Sequence, residues 1–95
     1  MATVGNLKSN PINDAFLAAD PDTQTQMVLK EFGAAYSSLE SGALEQYCDN
    51  FVAFLDGKLV GSDPNQVILR SRVSAEQNVH PERMAIIHVD GKLII

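Results

Sequence analysis

Asp56-Gly57, set between two apolar arms, constrains this chain more than any other feature. A two-residue type I′ turn needs positive φ at both central positions, and Asp-Gly supplies them at little strain. Phe51, Val52, Ala53, Phe54 and Leu55 precede the pair, and Leu59 and Val60 follow it. The stretch from Tyr47 to Ser62 therefore reads as a β-hairpin, ended by Gly61-Ser62-Asp63-Pro64. The first arm is apolar at successive positions, so both of its faces call for burial and it belongs inside a sheet.

Upstream, two helix starts are written in the same chemistry. Asn10-Pro11 predicts an N-cap followed by proline at the first helical position, and a short helix over 11–18 carries Ile12, Ala15, Phe16 and Ala19 on one face. Asp20-Pro21 repeats the signal, with Asp22 suited to the positive end of the helix dipole. The helix that follows places Val28, Phe32, Ala35, Tyr36 and Leu39 on one stripe, with Lys30, Glu31, Ser37, Ser38 and Glu40 mostly off it. Ser41-Gly42 ends or bends this helix, and Leu44, Tyr47 and Cys48 face inward from a last turn. Phe32, Tyr36 and Phe54 are the expected aromatic core.

Downstream, Ser62 or Asp63 is the expected cap of a helix running to about Asn78. Its stripe is Val67, Ile68, Ser71, Ala75 and Val79, widened by Leu69 and Val73, and His80-Pro81 closes it. Arg83 to Val89 reads as a second interior strand, Asp90-Gly91 as a second type I′ turn, and Lys92 to Ile95 as a short fourth strand. The hexapeptides Leu55–Val60 and Val89–Ile94 are nearly alike, which two good Asp-Gly-Lys hairpins explain without duplication. Residues 1–9 are expected as a tail and 10–95 as one α+β domain. The expected architecture is a two-layer sandwich, with a mixed four-stranded sheet in the order 2-1-3-4 and helices mainly on one face.

Tyr47, Phe51-Val52-Ala53, Asp56-Gly57 and Val60-Gly61-Ser62, followed by a helix, Pro81-Glu82 and an apolar strand, resemble a small prokaryotic family of unknown function. The resemblance covers roughly residues 44–89. It departs at Cys48-Asp49-Asn50, where family members commonly carry glycine after the tyrosine. It implies the same hairpin, helix and closing strand, and it assigns no catalytic residue.

The chain is 95 residues long, enough for one domain with a modest core. Its formal charge of −5 repels phosphate backbones, which argues against nucleic acid as a partner. No apolar run approaches a membrane span, and the first residues do not read as a secretory signal, so a cytoplasmic protein is expected. The single cysteine forbids an internal disulfide. No phosphate-binding loop, dinucleotide fingerprint or nucleophile-elbow motif is present.

The residues able to carry chemistry are few. His80, His88 and Cys48 lack metal-ligand spacing, so no metal or other cofactor is expected. Cys48 could act as a nucleophile with His88 as base, but its place on an apolar helical stripe reads as a buried structural cysteine. His88 reads as a partly buried strand histidine, and Asp56 and Asp90 as turn residues. Arg70, Arg72 and Arg83 read as solvated side chains. No catalytic residue is assigned. The expectation is a small interaction or assembly module that pairs with itself or another protein through Leu93, Ile94 and Ile95, because an apolar edge strand invites pairing. The alternative is a ligand-binding protein or enzyme with a pocket near His88 and Tyr47.

Overall fold

Strand β1 (Phe51–Leu55) is the centre of the molecule, and the computed structural model describes residues 10–90 around it. In chain order the described elements are α1 (Pro11–Ala18), α2 (Pro21–Glu40), a 3-10 turn (Glu45–Tyr47), β1, β2 (Lys58–Asp63), α3 (Gln66–Gln77) and β3 (Ala85–His88). Val52, Ala53, Phe54 and Leu55 are all buried, as an apolar strand with no polar face requires.

Among the described residues the sheet has three strands in the order β2-β1-β3, antiparallel throughout. This corrects the mixed four-stranded sheet expected from the sequence. Since β2 and β3 each run antiparallel to β1, they are parallel to each other, and the α3 crossover passes over the strand between them. The proposed fourth strand at 92–95, with Leu93, Ile94 and Ile95, lies outside the described residues, as does the tail at 1–9.

The two-layer expectation is also corrected, because helices cover both faces. Residues alternate sides along a strand. Ala53, Leu55 and Ile86 pack with Leu69 and Val73 of α3, with Val79 and Met84, and with Ile12 of α1 at the margin. Val52, Phe54 and Ile87 pack on the opposite face with Ala35 of α2 and with Leu44 and Val89. A strand that is apolar on both sides needs a helix on each.

Local signals placed three boundaries well. The Asn10 side chain accepts the Ile12 amide at 2.9 Å, and the Asp20 side chain accepts the Thr23 amide at 2.8 Å. Thr23 holds the Asp20 carboxyl below its ordinary range, because its backbone and side-chain hydrogen bonds favour the carboxylate. Asp56 and Gly57 both have positive φ, 56° and 77°, and Leu55 pairs directly with Lys58, so the two-residue turn forms as expected.

The start of α3 differs from expectation. Ser62 and Asp63 belong to β2, opposite Val52 and Phe51, and their extended backbone cannot begin a helix. Asn65 caps α3 instead, accepting the Ile68 amide at 3.0 Å. Val67 is 76% exposed and Ile68 53%, whereas Leu69 and Val73 are fully buried. Gly61 selects that face. A Cβ there would sit 3.1 Å from Val73 and 3.3 Å from Leu69, so the bare glycine backbone lets α3 settle onto β2. No helix among the described residues is long and apolar enough to cross a membrane.

Gly57→Val is expected to destabilise the protein by about 1 kcal/mol or more, because a β-branched residue is strained at positive φ. The space around Gly57 is open, so the loss measures backbone strain and not a clash. Chemical denaturation of wild type and variant checks this, and an unchanged midpoint would refute the strained turn.

Candidate functional site

The most unusual chemistry among the described residues is a buried ion pair. Glu31 of α2 is 3% exposed, and Arg83, just ahead of β3, is 7% exposed. The Arg83 Nη1 atom donates to Glu31 Oε2 at 2.6 Å. The same carboxylate accepts the Asp56 amide at 2.6 Å through Oε2 and the Gly57 amide at 2.8 Å through Oε1. One side chain thus holds both central peptides of the hairpin turn and an arginine.

Each partner answers a physical demand. The positive-φ turn points two amide donors into the protein, and buried donors need acceptors. A carboxylate accepting two N–H bonds needs a cation to offset its desolvation, and Arg83 supplies it. Arg83 Nε is buried with no hydrogen-bond partner among the described residues, so part of the desolvation of the guanidinium is left uncompensated. Glu31, Arg83, Asp56 and Gly57, with Met27, Lys30 and Ala34, line a surface pocket of about 470 Å³.

This cluster was not anticipated from the sequence. Glu31 reads as off the α2 stripe, and Arg83 as solvated. In the structure α2 is turned so that Glu31 and Ala35, one helical turn apart, face the sheet. Phe32 is then only half-buried and Tyr36 is 51% exposed, the two rings stacking at 6.3 Å on the helix flank. Phe54, by contrast, is buried as expected. The available signal was a lone acid beside an apolar helical stripe, matched by a lone arginine at the mouth of a fully apolar strand.

The sequence candidates do not converge. Cys48 is exposed, not buried, because it follows the 3-10 turn, where its Sγ donates to the Glu45 carbonyl at 2.9 Å. His88 is also exposed, with its ring edge-on to Phe51 at 4.9 Å. The Phe51–His88 pair lies on the α3 side of the sheet, whereas half-buried Tyr47 packs on the α2 side. The sheet separates His88 from Tyr47, and among the described residues neither lines the pockets on α1–α2, beside Glu31, along α3 or at the end of α2. His80 accepts the Glu82 amide through Nδ1 at 3.0 Å and sits beside Phe16. Among the described residues, no three His, Cys, Asp or Glu side chains gather as a metal site would require.

Arg83→Met is expected to cost about 3–5 kcal/mol, since it strands the buried Glu31 charge. Glu31→Ala is expected to speed hydrogen exchange at the Asp56 and Gly57 amides well before global unfolding. Unchanged protection of those two amides would show that the carboxylate does not hold the turn. Cys48 is expected to react with a thiol reagent in the folded protein at a rate close to that after unfolding, and slow labelling in the native state would contradict its exposure.

Compared with known proteins, the chain matches no family model, no curated protein and no solved structure, and the resemblance carried by Tyr47, Phe51-Val52-Ala53 and Asp56-Gly57 stands on those residues alone.

Proposed function

We propose that this protein is a small, non-catalytic interaction module that associates with a second copy of itself. One observation carries the reading. Strand β3 is held between packed faces, with Ala85, Ile86 and Ile87 buried, yet among the described residues only β1 pairs with it. A strand edge with no partner among the described residues can template another strand. The buried charges support the same reading, because Glu31 and Arg83 are engaged in holding a turn and present no free acid or base. The exposed thiol of Cys48 suits a reducing compartment, and we place the protein in the cytoplasm.

Sedimentation of the full chain across low to high micromolar concentration tests the proposal. A shift from monomer to a single larger species is expected. A monomer throughout would overturn self-association.

A further inference from the structure

Asp56-Gly57 is a turn, and by its covalent chemistry it is also a reactive pair. In an Asp-Gly sequence the glycine nitrogen can attack the Cγ atom of the aspartate, because glycine has no side chain to hinder the approach. The amide proton goes to solvent, the N–Cγ bond forms, and the hydroxyl of the protonated carboxyl leaves, a net loss of one water. The product is a cyclic imide. Water then adds back across one of its two C–N bonds. Opening at Cγ restores aspartate. Opening at the main-chain carbonyl carbon gives isoaspartate, in which the chain runs through the side chain.

The reaction has to pass through the Gly57 N–H, and Glu31 occupies it. In a trans peptide the N–H lies on the same side as the preceding Cα, so the new N–Cγ bond must take the direction the N–H had. Glu31 Oε1 accepts that N–H at 2.8 Å and so fills the position Asp56 Cγ has to reach. The carboxylate also opposes loss of the proton, since an amide anion there would face a negative charge in a poorly solvated site. Glu31 cannot swing aside without giving up Arg83 and the Asp56 amide, each held at 2.6 Å. Asp56 itself is exposed and the space around Gly57 is open, so neither water access nor crowding protects the pair.

We infer that Asp56-Gly57 is a latent isomerisation site, and that the buried Glu31 carboxylate keeps it shut in the folded chain. The pair becomes reactive when α2 releases the turn. Isoaspartate at position 56 adds a methylene to the main chain between the two amides that Glu31 bridges, so the released turn cannot rebuild the same contact. The modification therefore records that the contact between α2 and the turn has opened.

The test uses the full chain carrying Asp56→Asn, in which the same attack expels ammonia in place of water and peptide mapping reads each event as a mass gain at residue 56. Asparagine suits the first position of this turn as aspartate does, and circular dichroism checks the fold. Deamidation is expected to be slow in the folded chain and fast in urea; a fast rate in the folded chain would overturn the protection. Adding Glu31→Ala together with Arg83→Met clears the position beside Gly57 and strands neither charge. In that chain, folded, deamidation is expected to quicken about tenfold or more, the worth of a lost hydrogen bond to a charged group. An unchanged slow rate would overturn the role of Glu31 and leave the turn's own backbone as the barrier. Should this variant fail to fold, Glu31→Asp decides, because the shorter side chain keeps its charge beside Arg83 and draws back from Gly57. Faster deamidation is expected there too, and a rate equal to that of Asp56→Asn alone would overturn the proposal.

Discussion

The Glu31 carboxylate is the point on which the described fold turns. Three segments distant in sequence meet there: the middle of α2, the turn between β1 and β2, and the residue leading into β3. Burying a carboxylate is unfavourable unless its oxygens are occupied and its charge is met, and here two amides and a guanidinium do both. The ion pair need not add net stability over an apolar replacement to matter. It sets the rotation of α2 about its axis. Because Glu31 must face the turn, Ala35 faces the sheet and Tyr36 is carried out to solvent.

What could be read from the sequence was local chemistry. Asn10-Pro11, Asp20-Pro21 and Asp56-Gly57 each dictate backbone geometry within a few residues, and the helix starts and the turn appear where those pairs stand. The left-handed Asn78, at φ 56°, ends α3 by the same kind of local rule, its amide returning to the Ser74 carbonyl. What could not be read was which of two apolar phases a helix would bury. On α3 both Val67-Ile68 and Leu69-Val73 are apolar enough, and the choice was made by a glycine on another element. On α2 it was made by a buried acid that a hydropathy pattern assigns to solvent. The double-sided burial of β1 was visible in the sequence, yet its consequence, a helix on each face, follows only once that strand is taken as the middle of the sheet.

The same double-sided strand has a consequence for how the chain is made. Phe51 to Leu55 is an uncharged, aromatic-rich run of the kind that stacks into intermolecular sheets when left uncovered. During synthesis α2 emerges ahead of it and can shield one face at once, but the face that Leu69 and Val73 cover stays bare until α3 has followed. Asp49 and Asp56 bracket the run with negative charge. Charges in that position oppose the stacking of one nascent strand on another, and they act in the interval before α3 exists to do so.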